Sequence, residues 1–483
     1  MSERSPDSPE RTGAAEKAGV TTENTVTGVV AVVGLLVFFE LTSGLLQGAT
    51  SPLLPSIQAE LDIPSAQLHW VHAVQYLAAA VSVPVFGRLG DLYGYRRMLR
   101  VSLLFIAVGS VVVAVAPNLT VLLLGRVLLG PIAALLPLEI GLVRDRLSPE
   151  RSRRAIGMLV GALTLGSLLG ALVAGVVQGL LDDVRLTLGL LAVLAIACLG
   201  LSYSPRIPES QNRARGGMDW LGGVLLGLSL VALLGSISQG NSWGWTSPLF
   251  LGGVAAAAAL FVVWVRLELR SEHPLVDVRA VSSATVAPQY AAGAALGVVM
   301  LGGQSVIVLY LSASPETVGY GFGLGVMAIS LSVTAPTLLA FLGASAIAPV
   351  ATRLGYRRTV FLAFALMAAG TLGLVFSWAL LWSFLLSFAV VGLGCGLALG
   401  ALPTLVVEAS AADRAGSASA VFNNVKTLGG SIGGAVSAGA LGYFLAAGTD
   451  EPQLIAYQGV WTGVALLALG TAFLAGRTPQ ALR

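Results

Sequence analysis

The feature that most limits how this 483-residue chain can fold is a series of apolar stretches, each about as long as a membrane-spanning helix. A backbone exposed to lipid must satisfy its own hydrogen bonds, and the stretches are too long and too little alternating for barrel strands. We therefore predict an all-α integral membrane protein with 14 transmembrane helices. The predicted spans lie near residues 27–50, 69–87, 98–116, 120–143, 155–180, 185–204, 218–239, 247–267, 284–312, 320–347, 359–377, 380–407, 418–446 and 457–476.

Composition excludes several classes of protein. Hydrophobic residues make up 56% of the chain and charged residues 11%, whereas soluble domains are roughly a quarter charged. The net charge of +3 does not predict nucleic-acid binding, because the basic residues lie between apolar stretches and form no basic soluble face. Cys198 and Cys395 lie within apolar stretches, so we expect neither a disulfide framework nor a metal cluster. No Walker loop, nucleophile elbow or zinc-type spacing occurs, which predicts neither an enzyme nor an ATP-driven pump, and no cofactor.

The basic residues predict the orientation of the chain, because cytoplasmic loops retain Lys and Arg while translocated loops lack them. With both termini inside, 24 of the 27 basic residues fall in cytoplasmic loops or tails. The three others are Arg185 outside, and Arg126 and Lys426 within the membrane. We predict a multi-pass protein of a bacterial inner (cell) membrane with cytoplasmic termini.

An internal repeat predicts two related halves. Gly94-Tyr95-Arg96-Arg97 recurs as Gly355-Tyr356-Arg357-Arg358, an offset of 261 residues, and the glycines at 166 and 170 recur at 429 and 433, an offset of 263. Duplicated halves are typical of carriers in which one bundle rocks against the other. The predicted organisation is a disordered cytoplasmic tail (1–25), an N-terminal six-helix half (26–205), an inserted helix pair (206–282), a C-terminal six-helix half (283–476) and a second cytoplasmic tail (477–483).

The first predicted cytoplasmic loop carries the sequence Gly87-Arg88-Leu89-Gly90-Asp91-Leu92-Tyr93-Gly94-Tyr95-Arg96-Arg97. It resembles the loop motif of the major facilitator superfamily, and the chain as a whole is similar to the fourteen-spanner drug:proton antiporters. The resemblance implies the major facilitator fold and a gating loop that latches the halves in the outward-facing state. Its gating residues would be Gly87, Asp91, Gly94, Arg96 and Arg97.

Other family motifs are matched only in part. Arg126 with Gly130 resembles the family's Arg-and-Gly motif, in which the Arg is assigned to proton coupling. The segment from Gly166 to Gly170 has the glycine spacing of the antiporter motif but Ser167 in place of Pro. The family's acid in the first helix would fall at Leu46. We interpret the small residues as helix-packing glycines, namely Gly130, Gly166, Gly170, Gly429 and Gly433.

Charged groups in the membrane are costly, about 2.5–3.5 kcal/mol each on insertion scales, and therefore suggest function. Glu40 lies in a polar part of the first span and is predicted to bind a proton or a cationic substrate, the alternative being a structural ion pair with Arg126 or Lys426. Arg126, Glu139, Lys426 and Gln47 are further candidates for proton coupling or a substrate cavity. For Lys426 the alternative is snorkelling to the inner surface. His69 and His72 are expected at the outer surface rather than at a metal.

The resulting functional prediction is a secondary active transporter. We expect proton-coupled export of amphipathic or cationic small molecules by alternating access, as in multidrug efflux or export of an endogenous metabolite. The expected partners are the substrate, protons and the lipid bilayer, with no nucleic acid, and the resemblance implies a monomer. Two alternatives stay open: an uptake carrier or lipid-moving transporter, and a non-transporting membrane sensor.

Overall fold

The protein is predominantly helical over the residues that its structure, a computed structural model, describes. These residues are 10–64, 67–68, 70–147, 149–205, 207, 209, 217–271, 274–276, 278–281, 286–408, 415–445 and 451–477. They contain fourteen long helices and no strand, which confirms the predicted all-α class. The long helices are α1 (Glu10–Leu61), α2 (Trp70–Tyr93), α3 (Tyr95–Ala114), α4 (Leu119–Arg146), α5 (Pro149–Leu181), α6 (Val184–Ser202), α7 (Trp220–Trp243), α8 (Pro248–Glu268), α9 (Ala287–Ser312), α10 (Val326–Ser345), α11 (Tyr356–Phe376), α12 (Leu381–Glu408), α13 (Ala415–Tyr443) and α14 (Leu454–Arg477).

Thirteen of these helices are long and apolar enough to cross a membrane, counted over the described residues. The helix outside this set is α13, which has 29 residues but is less apolar because it carries Asn423, Asn424 and Lys426. The exact count of fourteen spans therefore stays a prediction. The membrane-crossing part of α1 is Val33–Leu61, but the helix begins at Glu10, inside the segment predicted as a tail. Residues 1–9 lie outside the described part of the chain.

The helices pack as two groups of six, α1–α6 and α9–α14, with α7 and α8 against each other. The two groups meet where α2 packs on α13 and where α5 packs on α10. Helix α7 contacts both α2 and α13, so it lies beside this junction. The residue boundaries of the halves stay predictions.

Glycines bring equivalent pairs of helices together in the two groups, α1 with α5 and α9 with α13. In the first group, a Cβ at Gly44 of α1 would overlap the carbonyl of Leu163 in α5, and one at Gly166 would overlap the carbonyl of Leu41. In the second group, Gly297 of α9 faces the carbonyl of Lys426 and Gly429 faces that of Ala294. Gly170 faces the carbonyl of Leu45, and Gly433 packs on the side chain and Cα of Val298. We call this arrangement the glycine clasp, and it explains why the small residues recur at an offset of 263.

Helices α4 and α9 are interrupted near their middles. Helix α4 changes to a 3-10 turn at Gly130–Ala134, where Pro131 provides no backbone N–H, and resumes as Leu135–Arg146. Helix α9 contains a π-turn at Val298–Gly302. Such interruptions in membrane helices are often found at functional positions. In α4 the break separates Arg126 from Glu139.

Candidate proton-coupling and gating sites

Two buried carboxyl groups face each other inside the N-terminal group of helices. Glu40 of α1 is 1% exposed and Glu139 of α4 is 0% exposed. The two groups lie close enough to influence each other electrostatically, and Oε2 of Glu40 and both oxygens of Glu139 have no hydrogen-bond partner among the described residues. The sequence predicted each residue as a candidate but not that they form a pair.

The surroundings of this pair are apolar and closed. A cavity of about 10 Å³ beside it is lined by α1, α3, α4 and α6, including Thr42, Ser43 and Cys198, and is just large enough for one water molecule. Two adjacent negative charges would be very unfavourable in such a place. We therefore expect the pair to hold at least one proton in this conformation.

Arg126 forms a separate buried site. It is 2% exposed, and its Nη1 donates hydrogen bonds to Thr50 Oγ1 at 3.0 Å and to Gln75 Oε1 at 3.1 Å. Its Nε and Nη2 have no partner among the described residues. The same three residues border a cavity of about 30 Å³, which has room for water. No ion pair between Arg126 and Glu40 is present in the described part of the chain.

A second set of polar side chains reaches the C-terminal group. The ring Nε2 of His72 lies 3.3 Å from Ser51 Oγ, and the ring stacks on Tyr76 at 5.8 Å between centroids. Tyr76 then donates a hydrogen bond to Gln304 Oε1 in α9 at 2.9 Å. The expected outer-surface position of His72 is wrong, because the side chain is 5% exposed and packed between α1 and Tyr76. His69 lies outside the described residues.

The two groups touch on the predicted outer side. Besides Tyr76 and Gln304, a Cβ at Gly175 near the end of α5 would overlap Ser330 near the start of α10. A Cβ at Gly434 of α13 would lie 3.7 Å from Cβ of Ala73 in α2. The structure therefore shows a conformation closed on that side.

The predicted gating loop is built around a tyrosine. Tyr95 donates a hydrogen bond from its hydroxyl to Asp91 Oδ1 at 2.6 Å. Its ring fills a slot between Gly90 of α2 and Gly141 of α4, where a Cβ on either glycine would overlap it. Gly94 has a φ of 101°, a backbone conformation that L side chains rarely adopt.

The other predicted gating residues lie around this tyrosine. Arg96 is half-buried, Arg97 is exposed, and Gly87 faces open space. Tyr95 belongs to the sequence motif, but the motif alone does not predict it as a gating residue. The signal that could have found it is its spacing of four residues from Asp91.

The remaining candidates behave differently from one another. Gln47 donates to the carbonyl and the hydroxyl of Ser43 in its own helix, at 3.3 and 3.2 Å. Lys426 is partly exposed and has neither an ion pair nor a side-chain hydrogen bond among the described residues. Gly130 packs on Ala78 of α2. No group of three or more His, Cys, Asp or Glu residues in the described ranges could hold a metal ion.

Comparison with known proteins gives consistent results. A family model described as Major Facilitator Superfamily matches residues 36–219 and 220–434. The chain is 28% identical over 402 residues to a protein named probable actinorhodin transporter of Streptomyces coelicolor, covering 79% of this chain and 67% of that protein. It is also 28% identical over 424 residues to multidrug resistance protein Stp of Mycobacterium tuberculosis, covering 83% and 73%. A crystal structure of the peptide transporter POT in complex with sulfate has a TM-score of 0.67 at 16% identity, covering 92% and 93%, which shows the shared fold.

Proposed function

Since the chain belongs to the major facilitator superfamily and is a membrane transporter rather than an enzyme, we propose that it exports amphipathic small molecules in exchange for protons. The observation that carries the proton part is the buried pair of Glu40 and Glu139. A carboxyl pair that shares a proton in an apolar site can release it when the site opens to water. Relatives named probable actinorhodin transporter and multidrug resistance protein Stp support export.

Because Glu40 lies on α1, binding or release of its proton can affect the movement of the two halves. Helix α1 is clasped to α5 and also contacts α9 and α10 of the other group. With one proton the two carboxyls attract, whereas two carboxylates would repel and push α1 away from α4. Loss of the proton therefore favours a different position of α1, and with it a different arrangement of the two groups. Arg126 stays hydrogen-bonded to Thr50 and Gln75 and is proposed to fix the nearby backbone of α1.

The predicted cellular setting is kept in the proposal. We place the protein in the bacterial cell membrane with both termini in the cytoplasm, in agreement with the distribution of arginines. One chain supplies both groups of helices, so we propose that transport is carried out by a monomer.

We propose that the substrate is amphipathic, as the sequence predicts. A requirement for a cationic substrate is not retained, because the partner of Glu40 is Glu139.

The experiment uses inverted membrane vesicles that contain wild type, Glu40→Gln, Glu139→Gln or the double variant. Uptake of two fluorescent amphipathic probes, the organic acid 1-pyrenebutyrate and the cation ethidium, is followed after an imposed pH gradient. We expect each single variant to lose about tenfold or more of the gradient-driven uptake, which is in the range expected for loss of a proton-transfer group. The double variant should lose no more than either single variant, because the pair acts as one unit.

Glu60→Gln is the matched control. Glu60 is an exposed carboxylate at the other end of α1, 2.7 Å from Nε of Arg185, and should keep normal uptake. Gradient-driven uptake that is unchanged in both single variants would remove proton coupling through the pair. Uptake without any gradient dependence in the wild type would remove antiport altogether.

A further inference from the structure

Lys426 is charged, whereas the equivalent residue in the first copy of the repeat, Leu163, is not. In the glycine clasp, the carbonyl of Lys426 faces Gly297, as the carbonyl of Leu163 faces Gly44. The two residues are 263 positions apart, the same offset as Gly166 and Gly429. Both side chains are partly exposed. Since leucine satisfies the packing in the first group, the clasp does not explain a lysine in the second.

Lys426 lies well inside α13 rather than at its end. The residue is eleven positions beyond the start of the helix at Ala415, or about 16 Å along the axis, which is longer than a lysine side chain. Around it, α13 packs on α9 through Gly429 and on α2 through Ala73 and Gly434. Lys426 therefore lies in the stretch of α13 that packs on α9 and α2, beside the junction of the two groups of helices, with its side chain partly exposed.

The charge of Lys426 has no counterion in the described part of the chain. Glu40 and Glu139 lie together inside the first group, and Glu60 at the outer end of α1 is paired with Arg185. An ammonium group at this depth is costly without a partner. Asn423, three residues earlier on α13 and also partly exposed, adds an amide on the same side of the helix.

From this arrangement we propose that Lys426, assisted by Asn423, binds an anionic group of the transported molecule, so that amphipathic organic acids are the substrate class. The inference rests on the proposed export function and specifies its substrate. A carboxylate or phenolate entering between the halves supplies the missing counterion, and the apolar part of the molecule packs against the surrounding side chains. The charge and the apolar part of the substrate are then recognised by different side chains.

The test measures equilibrium binding to the purified full-length protein in nanodiscs, without a pH gradient. The probes are 1-pyrenebutyrate, the uncharged 1-pyrenebutanol and a pyrenylalkyl trimethylammonium cation. We expect the wild type to bind the carboxylate about tenfold more tightly than the alcohol, as for one charge-assisted contact. Lys426→Gln should abolish that preference and leave the affinity for the alcohol unchanged, whereas Lys426→Arg should keep it.

The matched control is Leu163→Gln at the equivalent position of the clasp, which should retain the preference for the carboxylate. An equal affinity of the wild type for all three probes would overturn the proposal. So would a Lys426→Gln variant that loses the carboxylate and the alcohol to the same extent, since that pattern indicates a packing role. Because no gradient is involved, failure of proton coupling through Glu40 and Glu139 would leave this result unaffected.

Discussion

At the scale of single residues, the buried polar groups of the first six helices fall into two separate sites. Glu40 and Glu139 interact with each other, while Arg126 is held by neutral acceptors on α1 and α2. A nearby guanidinium would favour the charged form of the carboxyl groups, and the pair would then hold a proton less readily. The separation therefore keeps the carboxyl pair able to carry a proton.

Gln75 and Gln47 provide a comparison of two glutamines in the same region. Gln75→Leu removes an acceptor of the buried Arg126 guanidinium, and we expect the free energy of unfolding to fall by about 1–3 kcal/mol. Gln47→Leu removes contacts only with Ser43 in its own helix and should cost about 0.5 kcal/mol or less. Thermal unfolding of the purified variants in detergent measures both. Equal losses would show that Gln75 does not support Arg126.

At the scale of helices, the loop between α2 and α3 shows how the two copies of the repeat have diverged. Gly94 and Gly355 both have positive φ angles, 101° and 79°, and each precedes a tyrosine. The residue at the position of Asp91 in the second copy is Thr352, whose hydroxyl bonds to the carbonyl of Pro349. The turn is therefore kept in both copies, but the bond between tyrosine and carboxylate is present only in the first.

Replacing Tyr95 and Tyr356 with phenylalanine separates the packing of the ring from the hydrogen bond of the hydroxyl. Tyr95→Phe keeps the ring in its slot between Gly90 and Gly141 but removes the hydrogen bond to Asp91. We expect a several-fold loss of transport with little change in thermal stability, because Asp91 is no longer held in position. Tyr356→Phe should transport normally. Transport by the two variants is compared in inverted vesicles. Equal activity would show that the Tyr95 hydroxyl is dispensable.

The helices were easier to predict from sequence than their contacts. Span length, the recurring Gly-Tyr-Arg-Arg and the paired glycines each follow from local patterns, and they gave the all-α fold and the superfamily. The pairing of Glu40 with Glu139 joins residues far apart in the chain, so hydropathy could not show it. His72 was misplaced because its position near the start of α2 suggested exposure. In the structure Ser51 and Tyr76 enclose it.

At the scale of the whole molecule, transport requires the outer contacts between the two groups of helices to open. They include the hydrogen bond from Tyr76 to Gln304 and close approaches of Gly175 to Ser330 and of Gly434 to Ala73, within the longer packing of α2 on α13 and of α5 on α10. Alternating access requires these contacts to be broken and remade in each cycle.

A disulfide between Ala73→Cys and Gly434→Cys should hold the outer side closed. The Cβ position built at Gly434 lies 3.7 Å from Cβ of Ala73, close to the average separation of about 3.8 Å in disulfides. Cys198 and Cys395 are both buried, and replacing them with alanine gives a background without other thiols. We expect mild oxidation to cross-link the pair and stop transport, and a reductant to restore it.

Adding Tyr76→Phe to the cross-linking pair tests whether the hydrogen bond to Gln304 stabilises the closed side. The closed form would lose about 1 kcal/mol of stabilisation, which lowers its population several-fold if the open and closed forms are similarly populated. The cross-link should therefore form correspondingly more slowly. Each single-cysteine protein is the control for non-specific oxidation. A cross-linked protein that still transports would show that the outer contacts of α2 and α13 do not separate during the cycle.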